Sequence, residues 1–170
     1  MDIINRPISE LAHGGLTFYA ATPAELLAHG VPASVVLPVI KAALKVAVDD
    51  RAEALRGLLI TPGAGQAMEY QEAQAQAFAV LEDPAAALAA PGRFQMLAVS
   101  VGVDLDPQTN APATDLVGVA RSIKAAYDGW QMAGAAIRGA RLRGKAAIDA
   151  AVDLDAAAAA FAAVEWPALG

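Results

Sequence analysis

The chain contains no cysteine and only two histidines, His13 and His29, among its 170 residues. Without thiols it has no disulfides, no thiolate metal sites and no cysteine nucleophile. The two histidines are too few and too far apart in sequence for a convincing metal site. The loop Asp104–Pro112 superficially resembles a calcium loop but lacks the required glycine and glutamate, so it is interpreted as a polar turn. We therefore expect no metal and no other cofactor.

Residues typical of catalytic sites are also missing. No serine has the glycine neighbours of a nucleophile elbow, and nothing in the sequence selects a pair of carboxylates for acid–base work. The glycine-rich turn of residues 61–66 lacks the Lys-Ser/Thr ending of a phosphate-binding loop. We expect a protein that is not an enzyme and takes no small-molecule substrate. An enzyme with an unrecognised site is the less favoured alternative.

Long apolar runs and an excess of basic residues are absent as well. No eighteen-residue stretch is apolar and free of charge, so we expect no membrane span. The amino terminus lacks a basic segment followed by an apolar one, so no signal peptide is expected. Twelve lysines and arginines against eighteen aspartates and glutamates give a net charge of −6, which argues against a nucleic-acid partner.

Aromatic residues are scarce, at 5%, whereas alanine is abundant. Alanine is the strongest helix former, so the composition indicates an all-α protein with a thin core of closely packed helices. One helix about 55 Å long is predicted from Thr114 to about Val152, capped by Thr114 and Asp115. Apolar or small residues recur along it at helical spacing, at Leu116, Val119, Ala120, Ile123, Tyr127, Trp130, Gly134, Ile137, Ile148 and Val152. This stripe places Trp130 among the core residues.

Shorter helices are predicted before the long one. Thr22-Pro23-Ala24-Glu25 has the pattern of a capping box, and His29-Gly30 is a common stop signal. Two further helices span Ser34–Leu59 and Gln66–Glu82, and Pro38 lies either in the first turn of the former or at a kink. We expect these two helices to cover the long helix from Leu116 to Ile137, leaving its later part for a partner.

The predicted fold is an antiparallel helical bundle built on the long C-terminal helix, with a short irregular or weakly extended N-terminal arm. We expect residues 1–33 to form the arm and a short helix, and residues 34–170 to form the bundle domain. Within the arm, residues 16–19 predict one strand after the Gly14-Gly15 break. The arm either lies on the helices or adds to the edge of a partner's sheet, which makes Phe18 and Tyr19 candidate contact residues.

Two further surfaces are candidates for contact with a partner. Arg138, Arg141 and Lys145 share one face of the long helix. Their simplest role is to pair with acidic residues of neighbouring helices, and the alternative is to dock an acidic partner surface. The acidic residues considered are Asp49, Asp50 and Glu53. In the tail, Trp166 and Pro167 are expected to anchor the chain on a groove, either its own or a partner's.

The segment Arg51–Tyr70, R-A-E-A-L-R-G-L-L-I-T-P-G-A-G-Q-A-M-E-Y, resembles small helical proteins encoded by tailed bacteriophages and prophages. In that group a similar helix leads into a T-P-G-x-G-Q-A-M-x-Y-like turn. Met96–Val103 resembles the piece that follows, Met-Leu-Ala-x-x-x-Gly-Val/Ile. The long helix then carries a tryptophan and an I-x-x-x-R-x-x-x-K-x-x-I series, which here falls on Ile137, Arg141, Lys145 and Ile148.

The closing Trp166-Pro167 is similar to the ends of phage tail-fibre assembly proteins, and the resemblance as a whole covers roughly Lys41–Pro167. It implies a non-enzymatic protein of the tail-fibre region that contacts a fibre or another tail protein. Such a protein is either an assembly chaperone in the host cytoplasm or a component that stays on the virion tail. A second possibility is a structural virion protein that self-associates into a ring or trimer through the long helix.

Overall fold

The computed structural model describes residues 5–60 and 63–169, and these residues are mostly helical. Helix accounts for 66% of the chain, so the all-α prediction is right in broad outline. A two-stranded sheet near the amino terminus departs from it. The helices are α1 (Pro23–Ala28), α2 (Ala33–Gly57), α3 (Ala64–Glu82), α4 (Pro84–Ala89), α5 (Gln95–Ala98), α6 (Leu116–Ala150) and α7 (Leu154–Ala162). The strands are β1 (Ile8–His13), β2 (Leu16–Ala21), β3 (Leu105–Asp106) and β4 (Ala111–Pro112).

The predicted irregular arm is a β-hairpin in the structure. Strands β1 and β2 are antiparallel and joined by Gly14 and Gly15, whose φ angles are +60° and +81°. Positive φ at both central residues is the geometry of a type I′ turn, which matches the twist of the flanking strands. The strand predicted at residues 16–19 is confirmed, since it lies within β2, but its partner at residues 8–13 was not predicted.

Helix α1 begins with the predicted capping box. The Thr22 hydroxyl accepts a hydrogen bond from the Glu25 backbone N–H at 3.3 Å, and the Thr22 backbone N–H donates to Glu25 Oε2 at 2.7 Å. These bonds satisfy backbone donors that a helix start otherwise leaves without partners. The helix stops at His29, followed by Gly30 with a φ of +81°.

Helix α2 runs through Pro38, which lies beyond its first turn. Its buried residues recur every four positions, at Val36, Ile40, Leu44, Val48, Ala52 and, three positions later, Leu55. This spacing keeps a single face of the helix against the core. The proline is exposed and lies off that face, so its missing hydrogen bond does not interrupt the buried stripe.

The described residues divide into two compact units. The first contains the chain up to Arg56 and from Ala135 onward, and the second contains residues 57–134. The division predicted from the sequence placed its boundary after residue 33; it stays a prediction. The core of the first unit includes Leu11, Leu26, Val31, Val36, Ile40, Leu44, Val48, Ile148 and Ala157. The core of the second includes Ala77, Val80, Ala87, Leu97, Ala113, Leu116, Val119 and Ala120.

Helix α6 is the predicted long helix, shorter by a few residues at each end. The Asp115 side chain accepts a hydrogen bond from the Gly118 backbone N–H at 2.9 Å and caps the helix as expected. Buried residues occur near both ends, but no described residue from 124 to 136 is fully buried. The prediction that Trp130 belongs to the core was wrong, since its side chain is 41% exposed.

The predicted covering of α6 is confirmed for Gln66–Glu82, which is α3, and wrong for Ser34–Leu59, which is α2. Within the first unit, α2 runs antiparallel to the later part of α6: Lys45 pairs with Asp149, whereas Asp49 pairs with Arg141. The part that we expected to be free for a partner is therefore covered. In the second unit, the early part of α6 shares a core with α3 and α5. Helical spacing in the sequence identifies which face of α6 is buried. It does not identify the helix that covers that face, because several helices of this chain have an apolar face of their own.

Candidate functional site

The cationic face of α6 is engaged by α2. The two carboxylate oxygens of Asp49 accept hydrogen bonds from Arg141 Nε at 2.5 Å and from Lys145 Nζ at 2.6 Å. The Lys145 hydrogen bond, followed by that of Arg141, holds the pKa of Asp49 below its usual value. The prediction that these cations pair with acidic residues of a neighbouring helix is thus confirmed for Arg141 and Lys145. Glu53, another predicted partner, instead pairs with Arg56 at 2.6 Å.

A second set of charges, not predicted from the sequence, holds the same two helices together. Lys45 Nζ lies 2.7 Å from Asp149 Oδ1, and Lys41 Nζ donates to the Asp149 carbonyl oxygen at 2.8 Å. The Lys45 hydrogen bond also lowers the pKa of Asp149. Arg138 is exposed and has no ion-pair partner within residues 5–60 and 63–169. Of the three predicted contact cations, it is the one whose charge is open to a partner.

The C-terminal segment lies on its own chain. Trp166 is half-buried and packs against the first unit's core, and Pro167 is also partly buried. A Cβ added at Gly144 of α6 would lie 2.7 Å from Val164 Cγ2, so this glycine lets the segment approach the helix closely. Beside it is a groove of about 200 Å³, lined by Ala140, Arg143, Gly144, Ala147, Ala160, Ala163, Val164 and Glu165. Trp166 therefore packs on the core of its own chain, and it is not among the residues that line this groove.

The hairpin separates Phe18 and Tyr19 onto opposite faces. Phe18 pairs across the strands with the buried Leu11 and packs on the core, and its ring lies 5.9 Å from that of His29. Tyr19 points the other way and is 69% exposed. One of the two predicted aromatic contacts thus fastens the hairpin, and the other is presented to solvent.

Strand β2 borders a cavity of about 300 Å³ in the first unit. The residues that line it are Phe18, Tyr19, Ala20, Ala21, Glu25 and His29. The Glu25 carboxylate receives hydrogen bonds from the Thr22 backbone and hydroxyl, which lower its pKa and keep it ionised at neutral pH. Sequence reasoning missed this cavity because it depends on β2 lying next to α1.

A group of aromatic rings is exposed in the second unit. The rings of Phe78 and Tyr127 meet edge to face with centroids 5.3 Å apart, and those of Tyr127 and Trp130 stack at 6.3 Å. Gln131 Nε2 donates to the Tyr127 hydroxyl at 2.5 Å. Phe78 and Trp130 are 37% and 41% exposed. Helical spacing relates Tyr127 to Trp130 in the sequence, but only the packing of α3 on α6 adds Phe78.

Within residues 5–60 and 63–169, Asp106 is the most buried charged residue, at 4% exposed. Its carboxylate is bound by the Arg121 guanidinium on both oxygens and accepts the Gln108 backbone N–H at 3.0 Å. The Arg121 hydrogen bond is the main cause of a lowered Asp106 pKa. A carboxylate held ionised by such partners fixes the β3–β4 turn to α6, and it is poorly suited to act as a general acid or base. The polar turn predicted for this loop is thus anchored by a buried ion pair.

Among the described residues no group of three or more histidine, aspartate and glutamate side chains is arranged to hold a metal ion. No described helix combines the length and the apolar character that crossing a bilayer requires.

No protein-family model, curated protein or solved structure matches this chain. The resemblance to phage tail-fibre proteins therefore rests on the quoted sequence motifs alone and stays a prediction.

Proposed function

We propose that this protein is a non-enzymatic accessory protein of a bacteriophage tail, which acts by protein–protein contacts in the assembly or attachment of a tail fibre. It works in the host cytoplasm during assembly or on the tail of the virion. The motif resemblance of Arg51–Tyr70 and of the C-terminal Trp166-Pro167 supports the phage assignment. The observation that carries the contact role is the N-terminal hairpin, which is fastened to the core on one face and exposes Tyr19 on the other.

In this proposal an antiparallel helical bundle is the scaffold and the hairpin is the contact element. Two sets of ion pairs hold α2 to the later part of α6, and Leu11 and Phe18 anchor the hairpin to the same core. A contact surface that is already ordered loses little conformational entropy when a partner binds. The protein would therefore present the hairpin to a tail protein in a fixed geometry.

The alternative is a structural virion component that self-associates into a ring or trimer through the long helix. The exposed middle of α6 favours it, because Trp130 is 41% exposed there and its ring stacks on that of Tyr127, which in turn meets Phe78. Large exposed apolar side chains that lie together are common at protein interfaces. This surface belongs to the second unit, whereas the hairpin belongs to the first, so substitutions can test the two separately.

Co-expression with the proteins encoded beside this gene, followed by affinity capture, tests the main proposal. Tyr19→Ala should abolish capture of a tail protein, and Trp130→Ala should leave that capture unchanged. Under the alternative the roles reverse: Trp130→Ala should reduce the mass measured by light scattering, and Tyr19→Ala should not. A chain that captures no neighbour and is monomeric at high concentration would contradict both.

Mass spectrometry of purified particles separates a transient chaperone from a virion component. Stoichiometric presence in the particles would exclude a purely transient role. Absence from the particles, together with capture from infected cells, would support a chaperone.

A further inference from the structure

The cavity beside β2 is bordered by the second half of that strand and by α1. Side chains alternate between the two faces of a strand. Four consecutive residues, 18 to 21, nevertheless border this one cavity. Ala20 has a φ of +50°, which interrupts the alternation of side chains near the end of β2, so all four residues can border the same cavity. The opposite wall is formed by Glu25 and His29, which are four residues apart on or just after α1.

Among the described residues β2 pairs only with β1, so no strand is bonded to its outer edge. In a hairpin closed by a two-residue turn, the two residues that flank the turn form backbone hydrogen bonds to each other. Every second residue pair along the strands is bonded in the same way, and the pairs between them are not. His13–Leu16 and Leu11–Phe18 are such pairs, so the backbone N–H and C=O of Tyr19 point away from β1. No hydrogen bond to these groups of Tyr19 exists within the described residues. A free edge of this kind is a template for another strand.

The side chains around the edge favour a cation. Glu25 uses Oε2 for its bonds to Thr22, and its Oε1 has no hydrogen-bond donor in the described residues. Tyr19 brings an exposed ring to the same cavity, and Glu10 lies opposite Tyr19 in the strand register, on the same face of the hairpin. An aromatic ring beside carboxylates is a favourable setting for lysine or arginine. The net charge of −6 also attracts basic segments.

We propose that an extended segment of a partner protein adds to the outer edge of β2 as a third strand and places a lysine or arginine between Tyr19 and Glu25. The backbone pairing supplies a general attachment, and the cation supplies selectivity for the segment. This inference rests on the proposed function only in taking the partner to be a protein.

The test uses a peptide probe and the full chain. The probe is the acetylated and amidated pentapeptide Thr-Val-Lys-Val-Thr, and its control carries norleucine in place of lysine. Nuclear magnetic resonance of the ¹⁵N-labelled protein should show peptide-induced shifts centred on the Tyr19 amide, with slower exchange of that amide. The lysine peptide should bind about three- to tenfold more tightly than the norleucine peptide, given an exposed ion pair and one cation–π contact.

Two variants of the protein assign the effect to the cavity. Glu25→Gln keeps a side chain that can serve the capping box but removes the charge, so the lysine and norleucine peptides should bind it equally. Glu53→Gln, which removes an exposed carboxylate of α2 that is paired with Arg56, should preserve the preference. An unchanged hydrogen-exchange pattern in α1 would show that Glu25→Gln is still folded there.

Three results would overturn the inference. One is the absence of shifts at Tyr19 at millimolar peptide, and another is equal binding of the lysine and norleucine peptides to the unmodified chain. The third is protection of the Tyr19 amide in the protein alone, with a doubled mass by light scattering, since a second copy's hairpin would then occupy the edge. Peptide binding without capture of a tail protein would refute the phage role alone, and capture without peptide binding would refute the strand-addition site alone.

Discussion

Replacing Gly144 of α6 by alanine tests whether the C-terminal segment is seated on that helix as described. In an unobstructed helix interior, Gly→Ala stabilises by about 1 kcal/mol, because alanine loses less backbone entropy on folding. At Gly144 the new Cβ would lie 2.7 Å from Val164 Cγ2 and 3.2 Å from Val164 Cγ1. Those atoms belong to a short β-branched side chain with little freedom to rotate. Overpacking of this kind costs about 1–3 kcal/mol.

The two effects together predict that Gly144→Ala is neutral to destabilising by about 2 kcal/mol. Gly139→Ala is the matched control in the same helix and the same unit. Its Cβ would meet the Arg143 guanidinium at 3.0 Å, and the end of that long side chain can move aside. We expect Gly139→Ala to be neutral or stabilising by up to about 1 kcal/mol. The difference between the two alanine variants should therefore be about 1–3 kcal/mol.

Urea denaturation followed by circular dichroism measures these differences through the midpoint at constant slope. The double variant Gly144→Ala/Val164→Ala should be about 1–3 kcal/mol more stable than the sum of the two single changes predicts, because the shortened side chain at 164 no longer meets the new Cβ. If Gly144→Ala were as stabilising as Gly139→Ala and showed no coupling to Val164, the segment would not pack on α6 as the structure has it.

The remaining predictions concern charge, aromatic packing and the hairpin turn. Asp49→Asn should lower the free energy of unfolding by about 0.5–1 kcal/mol at neutral pH and low salt. Because the folded-state pKa of Asp49 is lowered, the stability difference between the two proteins should be present above about pH 4 and vanish as the pH falls below that value. Acid titration of both proteins would reveal it. Trp130→Ala should cost only about 0.5–1.5 kcal/mol, whereas Trp166→Ala should cost about 1–3 kcal/mol because its ring packs on a core; equal losses in thermal unfolding would contradict that assignment. Gly15→Ala should destabilise the hairpin by about 1–2 kcal/mol at a φ of +81°, and Gly15→Asn by less, as hydrogen exchange of the Phe18 amide, which is bonded to Leu11, would report.

Local signals in the sequence were enough to predict several elements and their ends. The capping box at Thr22, the Asp115 cap and the uninterrupted helical spacing of α6 each depend on residues within a few positions of one another. The Gly14-Gly15 pair was an equally local signal for a hairpin, and the structure shows that it closes one. Its strand partner was overlooked because Glu10 and the residues beside it do not alternate cleanly between apolar and polar.

The tertiary structure decided which surfaces are buried against each other and which remain for a partner. Asp49 takes both Arg141 and Lys145, although Asp50 is adjacent in sequence, because only Asp49 lies on the face of α2 that meets α6. The stripe of α6 is continuous in sequence, yet Trp130 is exposed, since burial requires a covering element at that level of the helix. Tyr19 and Glu25 border one cavity only because a hairpin and a helix pack together. Periodicity within an element specifies a face, whereas the partner of that face depends on contacts distant in sequence.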